Sequence, residues 1–514
     1  MKNNKEKFDA IVIGSGIGGL VTASQLASKG IKVLVLEKYI IPGGSGGSFK
    51  RNGYTFDVGA SMIFGFGEKG YTNLLTRALR DVNEKCETIP DPVQLEYHLP
   101  NDFSISIDKS YEKFINKLSD HFPHEKEGIE KFYGTCKKVF NCLDSMPLLS
   151  IEDPSYLFKV FLKAPLSCLG LARWLPINAG DVARKFIKDP ELLKFIDIEC
   201  FCWSVMPALK TPMINAGMVF TDRHAGGINY PKGGVGQIAE RLVNGLKNLG
   251  SNIRYRANVT EIILENKRAI GVMLSNGEKI YSDIIVSNAT RWDTFGLNNH
   301  KKGLIKSKYV PKNEHRWSET YKTSPSFVSI HLGVTKKLID EKFNCHHIIV
   351  EKWDELEKEK GVIFISIPTL LDSSLAPEDK HIIHAFTPSS IDKWENLSRD
   401  DYLSKKQEYF EYIIEKISKI IPDISKNIHH KEIGTPRTHR KFLNRFEGSY
   451  GPIPNKKLFG LLPMPFNTTN IKNLYCVGDS CFPGQGLNAV AFSGFACAHK
   501  IGSKLNINSF YLPD

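Results

Sequence analysis

The chain has 514 residues, 41% hydrophobic and 24% charged, a composition that excludes disordered and fibrous classes. Its length exceeds what one compact core holds and predicts two or three domains. The net charge of +12 leaves three causes open: anionic lipid, a phosphate-bearing ligand, or lysine-rich solvated faces. No nucleic-acid-binding motif accompanies it, which speaks against DNA or RNA as partner.

No run approaches the ~18 apolar residues of a membrane-spanning helix. The opening MKNNKEKFDAIVIG places the first strand near Phe8, so neither a signal nor a transit peptide is expected. The ten cysteines are scattered without CxxC spacing, the pattern of free thiols in a reducing compartment. A cytoplasm, or a membrane facing it, is the expected location.

Phe8 to Ile13 reads as a buried parallel strand. It enters Gly14-Ser15-Gly16-Ile17-Gly18-Gly19, a GxGxxG turn, and then a helix with Leu20, Ala23, Leu26 and Ala27 at helical spacing. Gly30 ends the helix, and a second strand runs from Ile31 to Leu36 with Glu37 and Lys38 at its carboxyl end. Gly14 permits the tight turn, Gly16 lets the backbone approach a pyrophosphate, and Gly19 allows close helix–strand packing. The helix N-terminus supplies free N–H groups to phosphates. Glu37 accepts from a ribose hydroxyl, favouring an adenosine without a 2′-phosphate. Strand, turn, helix and acid agree in order and spacing, the context this motif requires.

Past the acid comes a second glycine loop, Pro42-Gly43-Gly44-Ser45-Gly46-Gly47, followed by Gly53-Tyr54-Thr55-Phe56-Asp57-Val58-Gly59. It resembles the extended signature of amine-oxidase and phytoene-desaturase flavoproteins, and this resemblance selects FAD over NAD. Many such proteins carry arginine after the glycine pair, where this chain has Ser45. The resemblance therefore implies one charge fewer near the pyrophosphate.

Farther on, Tyr230-Pro231-Lys232-Gly233-Gly234-Val235-Gly236 precedes a helix over Gln237–Leu249, and strands follow at Ile253–Tyr255, Asn258–Ile263 and Asp283–Ala289. The resemblance implies that Val259 contacts adenine through its backbone and that the turn Ser287-Asn288-Ala289-Thr290, with Ala289 as the site residue, approaches the cofactor. Late in the chain, Asn473–Val477 reads as a strand followed by Gly478-Asp479, and Pro483-Gly484-Gln485-Gly486 opens an apolar helix from Leu487 to Ile501. Asp479 stands where it would bond a ribityl hydroxyl. The helix at Leu487 aims its positive end at the flavin edge that becomes negative on reduction.

The expected fold is α/β: a Rossmann-type, amine-oxidase-like FAD-binding domain from residues 1–67, 222–293 and 432–514, with a mixed α+β cap from 68–221 and 294–431. Within the cap, Tyr156–Lys163 and Leu166–Leu175 are apolar with interleaved Lys159, Lys163, Arg173 and Trp174. They suit either insertion at the headgroup level of a membrane or packing as cap helices. The basic clusters Lys301, Lys302, Lys306, Lys308 and Arg437–Lys441 are expected on solvated faces. His346-His347 and His429-His430 lack the i, i+4 spacing of a helical metal site and are expected at the surface or in loops. No metal is expected, and Cys481 reads as a small buried filler, with a reactive thiol as the alternative.

The stretches PGGSGGSF, GYTFDVGASMIFGFG, YPKGGVGQIAERL, NVTEIILE, SNATRWDTF, GSYGPIP and YCVGDSCFPGQGLNAVAFSGFACAH together resemble the carotenoid isomerase branch of the phytoene-desaturase-like flavoproteins. The resemblance covers Phe8 to His499. It implies redox-neutral cis-to-trans isomerisation of a poly-cis carotene by reduced FAD, an electron donor, and a peripheral site on a cytoplasmic or thylakoid membrane face. A carotene desaturase is the alternative, followed by a retinoid-type saturase and a non-catalytic prenyl-lipid carrier. A polyene has no ionisable group and the motifs hold no evident general acid or base, so no catalytic side chain is assigned.

Overall fold

The computed structural model describes residues 8–68, 70–146, 150–298 and 302–507. Strand β1 (Ala10–Ile13) is buried throughout, as is β2 (Val33–Leu36). Helix α1 (Ile17–Ala27) between them has no exposed face, because it lies between the sheet and the C-terminal helix Leu487–Lys504. A helix apolar all round is stable only when covered on every side. The two helices meet over small residues: a Cβ on Gly494 would stand 2.8 Å from the carbonyl oxygen of Gly18.

Five parallel strands form the sheet, in the order Leu474–Cys476, Ile284–Ser287, β1, β2, Asn252–Arg254. Ile13 lies opposite both Leu36 and Ser287, and Ser287 lies opposite Cys476. The carboxyl ends are therefore level, and Gly14, Glu37, Asn288 and Val477 leave the sheet along one edge. Ligands of doubly wound sheets bind at this edge, where strand order reverses.

The second glycine loop feeds a hairpin of β3 (Ser48–Arg51) and β4 (Tyr54–Asp57). Asn52 and Gly53 make its two-residue turn with φ of 49° and 82°, the conformation a right-twisted hairpin needs and Asn-Gly supplies. Val259–Glu265, Arg268–Leu274 and Lys279–Tyr281 form a three-stranded antiparallel sheet whose middle strand packs against Ile284–Ser287.

A second, seven-stranded sheet has the strands Ile428–Gly434, Ser326–Thr335, Lys380–Ser389, Ile363–Ser366, His346–Ile349, Val93–His98 and Ser104–Asp108 in spatial order. Helices between Tyr111 and Ala225 pack on it through a second core that includes Phe114, Phe132, Phe195 and Phe220. Helix Leu74–Arg80 packs into the core around Leu20 and Leu26. Helix Met213–Ala225 runs through position 222, and strand Ile428–Gly434 through position 432.

His346 and His347 correct the expectation of surface or loop histidines. They lie on an inner strand at 0% and 1% exposure, because strands on both sides and packed layers on both faces enclose the sheet there. His429 and His430 lie on the edge strand, the first exposed and the second half-buried. All ten cysteines are unpaired. Cys481 is buried, which pushes its thiol up to about 11 and makes it a packing residue. Lys306 and Arg440 stand on the surface, paired with Glu261 at 2.8 Å and Glu395 at 2.7 Å. Lys301 lies outside the described residues. No single helix among the described residues is long and apolar enough to cross a membrane.

Candidate functional site: a dinucleotide cradle opening into an apolar cavity

The first turn and the acid are joined before any ligand is considered. Glu37 Oε2 accepts from the Ser15 backbone N–H at 2.8 Å and from its hydroxyl at 2.6 Å, while Oε1 accepts from the Tyr39 N–H at 2.7 Å. The second glycine loop docks on the first, with Gly43 N–H donating to Ser15 C=O at 2.8 Å. Gly43 has φ +103° and Gly44 φ +57°, so the loop needs residues without a Cβ.

Asn288 completes the cradle. It follows Ser287 at the strand end, and a Cβ on Gly16 would meet its Nδ2 at 2.7 Å, on Gly18 its Oδ1 at 3.1 Å. On Gly478, at φ +103°, the same oxygen would lie 3.0 Å away. Both ends of the polypeptide thus converge on one side chain.

Gly16, Gly18, Gly43, Ser45, Gly478, Asp479, Gly486 and Leu487 all line a single cavity of about 890 Å³. Gly14, Ser15, Gly19, Glu37 and Gly44 form the turns just behind that wall. Lys38, Val259 and Ala289 do not line it. Lys38 is exposed and donates to Asn444 Oδ1 at 2.7 Å. Val259 faces a hydrophobic cluster beneath the sheet edge, although its segment is tied to Glu37 by Ala257 N–H at 2.8 Å. At the turn after Ser287, Asn288 lines the cavity instead of Ala289.

The arrangement fits FAD. Bare glycine backbone leaves room for a diphosphate, α1 points its N-terminus at that room, and a carboxylate waits at the end of β2. The C-terminal helix begins at Leu487 beside the same cavity.

Beyond the cradle the cavity runs under the seven-stranded sheet past Met62, Phe64, Trp203, Phe327 and Phe364, and reaches Phe161, Leu169, Leu462 and Phe466. Its volume is near the upper end of the ~300–1,000 Å³ usual for ligand sites. Three histidines interrupt the apolar wall. His331 contacts the Asp57 carbonyl at 2.9 Å, His384 Nδ1 the Ser61 hydroxyl at 3.0 Å, and His439 Nδ1 the Tyr450 hydroxyl at 3.1 Å. Burial drives them down to about 3, 3 and 4 respectively, so they are uncharged at neutral pH. These three side chains therefore add no charge to the apolar part of the wall.

Asp57 anchors this region and explains the FDVGAS stretch. Buried, it accepts from Ser48, Ser61 and Tyr230 hydroxyls and from Val235 N–H, each at 2.8–2.9 Å. Burial raises its pKa against those four hydrogen bonds. One carboxylate therefore ties the second glycine loop to the YPKGGVG turn.

Asn288 belongs to the Ser287–Thr290 turn expected near the cofactor, whereas sequence reasoning missed Arg445, Tyr450 and the three histidines as site residues, none of which carries a local signal. Two further clusters of potential ligand atoms, Asp91–Cys345–His346 and Glu96–His98–His347, each lie within 4.8 Å. In the second, His98 and His347 already bond each other at 3.0 Å.

Comparison with known proteins agrees with this geometry. Residues 12–79 match an NAD(P)-binding Rossmann-like domain, and residues 177–501 match the flavin-containing amine oxidoreductase family. The chain is 56% identical over 503 residues to chloroplastic prolycopene isomerase of Daucus carota, covering 98% of this chain and 81% of that one. It is 26% identical to a neurosporene-forming phytoene desaturase of Cereibacter sphaeroides, over 94% of this chain and 92% of the other. Wild-type putrescine oxidase bound to putrescine has the same fold, with a TM-score of 0.64 at 13% identity, over 98% of this chain and 99% of that one. The chain belongs to the prolycopene isomerase family, within the flavin-containing amine oxidoreductases.

Proposed function

We propose that this protein isomerises a poly-cis carotene, prolycopene, to all-trans-lycopene without net oxidation, using FAD in its reduced form. The observation that carries this reading is 56% identity across nearly the whole chain to a protein named for that reaction, against 26% for a desaturase. FAD, when bound, supplies a reducible ring that can lend electron density to a conjugated chain.

The remaining work falls to the polypeptide. The Gly14–Gly19 and Gly43–Ser45 loops, Glu37 and Asp479 hold the dinucleotide, with Val259, Ala289 and Lys38 farther from the cavity. The helix beginning at Leu487 presents its positive end to the cavity, which favours negative charge on a reduced ring. Phe64, Trp203, Phe327 and Phe364 hold the polyene and exclude water. The division into a dinucleotide-binding part (1–67, 222–293, 432–514) and a cap (68–221, 294–431) accounts for this split of labour.

A hydrocarbon of this kind is collected from a bilayer. Helices Pro154–Lys163 and Pro165–Trp174 bend by 117° and expose Phe158, Leu162, Leu166 and Leu169, while Tyr156 and Val160 anchor the first to the core. Phe161 and Leu169 also line the cavity, so the apolar patch and the outer end of the cavity coincide. We place this patch in a membrane surface, on a cytoplasmic or thylakoid face; the carrot relative is a chloroplastic protein. An electron donor must reduce the flavin.

The test uses holoprotein with liposomes containing a poly-cis carotene under anaerobic conditions, comparing dithionite-reduced with oxidised flavin by chromatography. All-trans product from the reduced sample alone supports isomerisation. Product formed only with oxidised flavin and an electron acceptor overturns it in favour of desaturation.

A further inference from the structure

Negative charge accumulates in the cradle. A bound dinucleotide brings a diphosphate and, once reduced, an anionic ring, beside Asp479 and close to Glu37. Ser45 leaves the second glycine loop without a cation. Among the described residues lining the cavity, Arg445 alone is a lysine or arginine.

We propose that Arg445 supplies the positive charge that the second glycine loop lacks, neutralising the anionic part of the bound dinucleotide. This inference rests on the FAD reading.

Arg445 is held for such a task. Its Nη2 pairs with Asp479 Oδ2 and its Nε donates to the Ser449 carbonyl. The guanidinium carbon lies 5.8 Å from the centre of the Tyr450 ring, and Ser45, Tyr450 and Arg445 all line the cavity. The arginine and the neutral loop position thus face one cavity. The turn bearing Arg445 is fixed on its other side, because Phe446 N–H donates to Asp293 Oδ2 at 2.9 Å and Gly448 takes φ +67°. With its side chain 18% exposed, Arg445 is neither fully buried in its pair with Asp479 nor free in solvent. A planar guanidinium suits a phosphate or ring-oxygen acceptor better than a lysine would.

The test compares wild type, R445Q, R445K and the exchange variant S45R/R445Q, measuring FAD dissociation constants on apoprotein and the flavin midpoint potential. R445Q should weaken FAD about 10- to 100-fold, the usual weight of a charge-assisted contact. R445K should lie between, and S45R/R445Q should regain most of the loss. A potential unchanged in R445Q assigns the charge to the diphosphate, and a more negative potential assigns it to the reduced ring. The proposal is overturned if R445Q binds FAD as wild type does with the same potential. It is equally overturned if R445Q melts at lower temperature and S45R restores nothing, the signature of a merely structural arginine. Failure of wild type itself to bind FAD would instead overturn the reading beneath it.

Discussion

A Cβ placed on Gly19 would lie 2.5 Å from the carbonyl oxygen of Gly14 and 3.0 Å from Asn288 Cβ. The first obstacle is backbone, so the loop itself must move. Gly19→Ala should cost about 1–3 kcal/mol through overpacking and lower FAD content sharply. Gly30→Ala meets nothing within 4 Å and is strained only by its φ of +82°, so it should keep its flavin. Absorbance of the purified variants near the flavin bands separates the two.

Arg291 and Glu314 form a fully buried ion pair at 2.7 Å. Arg291 also donates to the Ser480 and Phe466 carbonyls at 3.2 and 2.7 Å, bracing the loop that carries Asp479. Glu314→Ala should destabilise by about 3–5 kcal/mol because it strands a buried charge. Adding Arg291→Met should return much of that loss. Urea unfolding of both variants measures it.

Burial holds His384 at about 3 in the folded protein, against ~6.5 in an unfolded chain. Between those values the unfolded chain binds a proton that the folded one does not, so this group's contribution to stability is lost as pH falls below about 6.5. Asparagine in its place removes that dependence. From pH 7 to pH 5 the wild type should lose about 2 kcal/mol more than His384→Asn does. Parallel stability curves would show that His384 is not desolvated.

Leu162 and Leu166 are 64% and 83% exposed on the bent helix pair. Burying a leucine side chain is worth roughly 1.5–3 kcal/mol, so L162D/L166D should reduce partitioning onto liposomes about 100-fold or more. Flotation should show this with little change in melting temperature. Vesicles with and without anionic lipid report whether Lys159, Lys163 and Arg173 add attraction.

The motifs legible in the sequence are those whose physics is local. Gly14–Gly19, Glu37 and the Gly478-Asp479 turn announce themselves because strand, turn and helix follow at fixed spacing, and the structure brings them to one sheet edge. The Asn52-Gly53 hairpin is of the same kind. Arg445 and Asp479 are distant in the chain and meet only because the seven-stranded sheet returns the polypeptide to the cradle. The His384 row is hidden for a similar reason. His331 pairs with His384 across one ladder, and His384 with Ser366 across the next, a register no local pattern specifies. His346 and His347 look like surface residues until six further strands and the flanking helices enclose them.

The most direct test of the central claim follows the electrons. Holoprotein is reduced once under anaerobic conditions, excess reductant is removed, and a large excess of poly-cis carotene is supplied in liposomes. The account predicts many all-trans products per flavin, each of unchanged mass, with the flavin still reduced at the end. Products lighter by a hydrogen pair, or turnover that stops when each flavin has reacted once, would contradict it.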